Sequence, residues 1–527
     1  MAIPVTPARV AAFQPRQVGV IGRAVELVSA RRIALLLVVL FVLALGIRLY
    51  EIDGAPLDFH AARQYRSFII ARQLFYDTLP VLPDWQRQVA AVSAEKQGML
   101  EPPIMEGLVA AGYRLLGGEQ LWLPALLSSI IWLAGAAFLF SIVRRIASQL
   151  AAVAAVTFYL LLPFAVAASR SFQPDPLLVT LMVASVWAIV RYDEAPSMPR
   201  LGAAASMSAL AFLSQPRTVP IIVATFLTLM LFRQGLRPTI RDPHLAIFAV
   251  GSAALPAAVY GYGVISGAFR TDIAEAILLP QLWISPFLWS GWLSKIDASV
   301  GLLPFFGALF GVLLFRAGRP RAVALGLWLG YFGFGLVFDY AVATHDYYHL
   351  QLVPIVAISL SPLVALVVRR AATVHRDAAA RVMLGGVLAA GLAVALLGAR
   401  AQIANPDWQQ DVAIKREIGA AADHSVRTVF LSADYGTPLE YHGMIAGFPW
   451  PLVSDLEWER LAGIQVLGAE ERFVRWFEPR QPEFFIIEDF SQLAEQPDLQ
   501  LFLGQHFPVA KQTEDYVIYD LRSRTGS

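Results

Sequence analysis

From Ile33 onward the chain alternates long apolar runs with short polar connections. Runs of the length that crosses a bilayer lie at about 33–50, 121–143, 150–168, 176–192, 200–214, 218–233, 244–265, 299–316, 322–342, 350–368 and 382–398. Residues 51–119 carry no comparable run. Between Pro56 and Arg72 the apolar positions recur at helical spacing instead, with Ala61, Tyr65, Phe68, Ile69 and Phe75 on one side. Arg63, Arg66, Ser67, Gln73 and Asp77 fall on another. That pattern predicts a helix lying along the membrane surface, introduced by a turn holding Asp58. A second amphipathic stretch, too short to cross, predicts another interfacial helix starting at Pro102. After residue 400 the pattern changes to short β-rich runs at 428–432, 483–489 and 516–520, separated by helices or loops.

The arginines orient these elements. Arg9, Arg16, Arg23, Arg31 and Arg32 precede the first run, which marks a cytoplasmic start. Alternating sides then puts Arg144 and Arg145 inside, with the arginine-dense connections 191–200, 233–241, 316–321 and 369–381. Counting 103–117 as a span would break that agreement. Arg48 and Tyr50 follow the first run where a cleavage site would need small residues, so it reads as an uncleaved span. The segment Gln215-Pro216-Arg217 reads either as a turn between spans or as a kink. The expected fold is a mostly α polytopic membrane protein of about eleven spans plus interfacial helices. A transmembrane domain occupies 1–398, and a small soluble α/β domain at 399–527 lies outside the cytoplasm.

Composition agrees. Of 527 residues, 57% are hydrophobic and only 15% charged, and the mean hydropathy is +0.57. No soluble protein of this size hides so much apolar sequence. The net charge of +1 gives no reason to expect a nucleic-acid partner. The absence of cysteine excludes disulfides, thiol nucleophiles and cysteine metal sites.

Candidate chemistry gathers on the outer side. Asp58 is placed to act as a general base at the lipid–water boundary, or to cap a helix. His60 follows two residues later, able to orient a substrate or share a metal. Asp175, in R-S-F-Q-P-D-P, reads as a helix N-cap before Pro176 or as a second acid facing Asp58 across a cleft, with Arg170 as a phosphate contact. Five polar or aromatic residues, His345, Asp346, Tyr347, Tyr348 and His349, share one short outer loop. They suit a sugar or phosphate contact, an aromatic belt, or a divalent metal if the two histidines are helical. No glycine-rich phosphate loop or nucleotide fingerprint is present, so a nucleotide-sugar donor has no visible site.

Taken in order, these residues resemble the GT-C superfamily of polyprenyl-phosphate-dependent glycosyltransferases. The resemblance is to the family 39 type, which includes protein O-mannosyltransferases and aminoarabinose transferases of lipid A. It rests on Asp58 after the first span, the interfacial helices, Pro102-Pro103 opening the last of them, Asp175 in the next outer loop, and His345–Tyr348 before a span containing Pro354. It covers about residues 30–370. Where family members often have Asp-Glu in the first loop this chain has Asp58-Phe59, and Glu101 stands where several have lysine before the double proline. The resemblance implies transfer of a hexose or pentose from a polyprenyl-phosphate carrier to a lipid, glycan or protein acceptor on the outer face, with inversion. Asp58 would deprotonate or orient the acceptor hydroxyl, and Arg63, Arg66 and Arg170 would neutralise the leaving phosphate. His60, Asp175 and His345–His349 would complete the substrate site. The expected location is a cell membrane, the bacterial plasma membrane, with the N-terminus inside.

Two other classes compete. A transporter or flippase of lipid-linked or envelope components would need ionisable residues near the middle of its spans or inverted-repeat symmetry, and neither is visible. A scaffold presenting the terminal domain would not need so many spans. Incorporation of sugar from a lipid-linked donor separates the enzyme from both.

Overall fold

The computed structural model describes residues 20–270, 278–374 and 378–524. Arg9 and Arg16, and part of the 369–381 connection, lie outside the described residues. The first apolar run is α1 (Val20–Arg48). The connection at 51–119 folds into α2 (Ala61–Tyr76), α3 (Asp84–Gln97) and α4 (Ile104–Leu116). The bundle continues through α5 (Trp122–Ile146), α6 (Gln149–Leu161), α7 (Pro163–Arg170), α8 (Asp175–Glu194), α9 (Met198–Ser214), α10 (Val219–Gln234), α11 (Leu236–Arg241) and α12 (Pro243–Ile265). It closes with α13 (Pro286–Val300), α14 (Leu302–Leu314), α15 (Arg319–Val337), α16 (Asp339–Thr344), α17 (Leu352–Val374) and α18 (Ala378–Ile403).

Among the described residues, seven helices are long and apolar enough to cross a membrane, and up to nine spans result if each of two bent pairs counts as one. The run expected at 150–168 is such a pair, α6 and α7, meeting at 61° where Pro163 opens α7. The other pair, α13 and α14, meets at 93° through Gly301, whose φ of 80° suits glycine. Helices α1 and α9 occupy the runs at 33–50 and 200–214, α9 with only 17 residues. At 215–217 a short 3₁₀ turn ends one helix and starts the next. Helices α10 and α15 approach closely because Gly326 and Gly330 of α15 face α10. A Cβ on Gly330 would lie 2.3 Å from Ile221 Cα, and one on Gly326 2.6 Å from Thr225 Cα. Small residues four apart let helix backbones touch where no hydrophobic effect drives them together.

The outer loop departs from the expected surface helix. In α2 both sides are largely covered: Gln64, Ser67 and Arg72 are buried along with Tyr65, Phe68 and Phe75. The C-terminal domain contributes to that burial: its Tyr441 joins Tyr65 and Phe68 of α2 and Met105, Val109 and Tyr113 of α4 in one core. Helix α3, in a stretch too polar to announce itself, packs Val89, Ala90 and Ser93 against the same domain, and Ser93 Oγ donates to Ile445 O at 3.2 Å.

That domain contains α19 (Trp408–Ala421), α20 (Thr437–Gly443) and a five-stranded mixed sheet. Strands β1 (Thr428–Leu431), β3 (Phe484–Ile487) and β5 (Val517–Asp520) are those the sequence indicates. β2 (Gly447–Pro449) and β4 (Val509–Gln512) are additional. The order is β2-β1-β3-β5-β4, with β1 parallel to β2 and β3, and β5 antiparallel to β3 and β4. Alternate residues feed two cores. Val429, Leu431, Phe485 and Ile487 meet Trp450 and Leu503 on one face. Phe430, Phe484, Ile486 and Ile518 meet Ile418 of α19 and Leu439 of α20 on the other. That second face turns α20 toward α2. Arg72 Nη1 donates to Tyr441 O at 2.7 Å and Tyr65 Oη lies 2.7 Å from His442 Nε2.

Candidate functional site

The site is built from α2 upward. His60 precedes the helix with φ 49° and ψ 64°, a left-handed conformation, and its side chain caps nothing. Arg63 and Arg66, three residues apart, then project from one face of α2. They line a cavity of about 530 Å³ whose walls also carry Arg217, Arg270, Glu101, Tyr260, His345, Tyr347 and Tyr348. Arg217 comes from the turn between α9 and α10. Tyr260 belongs to α12, much of which faces away from the bundle: Val250 is 67% exposed and Tyr262 74%.

Asp175 organises the arginines. It is the first residue of α8 and not its cap, which is Pro174. Its Oδ1 accepts a short hydrogen bond from Arg217 Nη2, and its Oδ2 lies 3.1 Å from Arg63 Nη2. Burial alone would lower the pKa of Arg63, but Asp175, together with Tyr347, Tyr348 and Glu101, holds the guanidinium above its ordinary value. Each arginine also stacks on an aromatic ring, Arg63 at 4.1 Å from the Tyr347 centroid and Arg217 at 5.0 Å from that of Tyr348. Arg63 Nη1 and Arg217 Nε remain buried without a hydrogen-bond partner among the described residues. Buried donors left unpaired cost free energy. Here they belong to the wall of a cavity that an anion can enter.

Asp58 is elsewhere. It lines a separate, much smaller cavity of about 20 Å³ together with Glu51, Arg170 and Trp408. Its Oδ1 accepts from Gln64 Nε2 at 3.3 Å and its Oδ2 lies 3.8 Å from Arg170 Nε. Burial pushes its pKa up, with Arg170 opposing. Arg170 donates to the carbonyls of Tyr50 and Glu51 at 2.8 and 3.1 Å. It therefore holds the end of the first span instead of facing the arginine cavity. Asp58 and Asp175 thus have different partners: Gln64 and Arg170 contact Asp58, Arg63 and Arg217 contact Asp175.

The 345–349 loop divides. His345, Tyr347 and Tyr348 line the cavity. Asp346 turns to His60, with Oδ1 and Nε2 2.5 Å apart. His349 is fully buried in the bundle, its Nδ1 2.7 Å from Tyr331 Oη and its Nε2 2.9 Å from Val342 O. Burial pushes both His345 and His349 down to about 4, so each is neutral near pH 7. Among the described residues no three of His, Asp and Glu come together as metal ligands. Arg217, Glu101, Arg270 and Tyr260 were not singled out as site residues from the sequence. Arg217 had a signal: it is the one cation in a three-residue outer connection between two spans.

Residues 101–262 match the family model described as dolichyl-phosphate-mannose-protein mannosyltransferase. The fold is similar to that of ArnT from Cupriavidus metallidurans bound to undecaprenyl phosphate. The TM-score is 0.56 at 16% identity, over 92% of this chain and 97% of that one. It is also similar to the Archaeoglobus fulgidus oligosaccharyltransferase AglB in complex with an inhibitory peptide and a dolichol-phosphate. There the TM-score is 0.52 at 12% identity, over 91% of this chain and 73% of that one. Among curated proteins none matches. At these identities the structural likeness establishes a shared fold, the one the sequence resemblance implies.

Proposed function

We propose that this chain is a membrane glycosyltransferase that moves a sugar from a polyprenyl-phosphate carrier to an acceptor at the outer membrane surface. The observation that carries this reading is the arginine cavity. Arg63 and Arg217 are fixed by one buried carboxylate, yet each keeps an unpaired donor. Such a pair is built to take charge that arrives with a ligand. A phosphate ester brings one negative charge and gains a second when the glycosidic C–O bond breaks, so fixed guanidinium groups favour the departing state over the bound donor. No acid is needed to protonate that leaving group. The apolar carrier would run past Tyr260 and the outward-facing side of α12. Undecaprenyl phosphate and dolichol-phosphate are bound in the similar structures, and a mannosyltransferase family model matches residues 101–262.

In this reading the N-terminus is cytoplasmic, and the transmembrane part (1–398) and the soluble domain (399–527) meet at the outer surface. Inversion at the anomeric carbon follows from direct attack by the acceptor oxygen. Asp58 is assigned a positioning role, holding Gln64 and Arg170 and through them the loop that delivers α2. The test is purified protein in nanodiscs, titrated with undecaprenyl phosphate and supplied with radiolabelled undecaprenyl-phosphate sugars. Carrier binding and donor-dependent incorporation are expected. Transport of the intact carrier without cleavage would overturn the reading.

A further inference from the structure

We infer that the His60–Asp346 pair is the proton acceptor of the transfer reaction, with His60 Nδ1 the atom that takes the acceptor's proton. This rests on the glycosyltransferase reading and supplies the base it requires. Asp346 comes from the turn after α16 and His60 from the loop before α2, and the 2.5 Å contact between them closes the outer surface beside the arginine cavity.

The proton inventory fixes the roles. Burial pushes Asp346 up, but contacts led by the hydrogen bond from His60 hold the carboxyl below its ordinary value. An ionised Asp346 only accepts, so Nε2 carries the hydrogen and a neutral imidazole presents its lone pair at Nδ1. Nδ1 has no hydrogen-bond partner among the described residues, and the side chain is 32% exposed. Its ring meets Tyr347 edge-on at 4.8 Å, and Tyr347 in turn carries the Arg63 guanidinium. The base is therefore one aromatic ring away from the cation that would hold the phosphate. Asp346, Asp175, His345, Arg63 and Asp434 of the C-terminal domain surround it.

The alternatives are engaged elsewhere. Asp175 is held by two arginines, Asp58 faces another cavity, and His349 is sealed in the bundle. His345 has Nδ1 2.7 Å from Thr344 Oγ1, and burial makes it a weak base. In the step, the acceptor oxygen forms a bond to the anomeric carbon as its O–H proton passes to His60 Nδ1. The bond from that carbon to the phosphate oxygen breaks with its electron pair on the oxygen, giving polyprenyl phosphate. The imidazolium, stabilised by Asp346, then returns the proton to water.

The experiment uses membranes of the expressing host given radiolabelled undecaprenyl-phosphate hexose or pentose, with label counted in lipid, glycan and protein. His60→Gln should lower the rate about 10²- to 10⁴-fold, the usual worth of a general base, while undecaprenyl phosphate binding to the purified variant stays unchanged and reports an intact fold. Asp346→Asn should also lower the rate, because the imidazolium formed in the step loses its carboxylate. A His60→Gln protein that retains the wild-type rate overturns the inference and leaves the glycosyltransferase reading standing. No incorporation by the wild type from either donor overturns that reading itself, and the inference with it.

Discussion

Arg72 and Glu119 form a two-point contact, Nε and Nη2 each 2.9 Å from a carboxylate oxygen, buried where the outer loop meets the C-terminal domain. Tyr441 completes the group. Its hydroxyl donates to Glu119 at 2.6 Å and its ring lies 3.7 Å beneath the guanidinium. Arg72→Ala leaves Glu119 buried without its cation, which costs roughly 3–5 kcal/mol. Tyr65→Phe removes only the bond to His442, worth about 1 kcal/mol. Thermal unfolding in detergent should rank the two in that order, with early proteolytic release of the C-terminal domain for the arginine variant only.

Arg217→Ala and Arg63→Ala should each weaken undecaprenyl phosphate binding and lower transfer. Arg217→Ala should be the more severe, since it removes the hydrogen-bonded partner of Asp175. Arg63→Lys keeps the charge but not the planar fork or the stacking on Tyr347, so it should recover only part of the loss. Titration with the carrier in nanodiscs checks this. Equal affinity in all three variants would dissociate the arginines from the phosphate.

Glu440 makes the domain contact sensitive to pH. It is buried, accepting from Gly447 N at 3.1 Å and Gln97 Nε2 at 2.7 Å, and burial pushes its pKa from 4.5 to about 7. The folded state thus holds this proton more tightly than the unfolded chain. The stabilisation is complete below pH 4.5, declines as pH rises toward 7, and is gone above that; its full size is on the order of 3 kcal/mol. Glu440→Gln should flatten the dependence of Tm on pH across that window and raise Tm above it.

Because the chain has no cysteine, single cysteines can report sidedness. Positions 111 and 470, both exposed, should react with an impermeant reagent from the outer face, and position 144 only from the cytoplasmic face. Labelling of position 111 from inside would sink the expected topology.

The bundle was legible because membrane spans announce themselves by length and apolarity. The central strands showed for a similar reason: β1 and β3 are buried along their whole length. What escaped depended on tertiary partners. Helix α3 has little apolar surface of its own and borrows its burial from the sheet domain. Asp58 stands out in the sequence by its position after the first span, but its contacts with Gln64 and Arg170 do not. The 345–349 loop read as one cluster, but its backbone turns send His349 into the bundle and Asp346 across to His60. Asp175 and Arg63 were both singled out. The hold of Asp175 on Arg217 as well depends on a helix break that sequence left open between a turn and a kink.

Helix α2 carries Arg63 and Arg66 into the cavity and sets Tyr65 and Arg72 against the C-terminal domain. One rod of sixteen residues therefore serves two masters. The C-terminal domain is not a detachable cassette: a graft that exchanges it must also supply the face of α2 on which it sits. Domain exchange in this architecture therefore cannot leave the aim of Arg63 and Arg66 untouched.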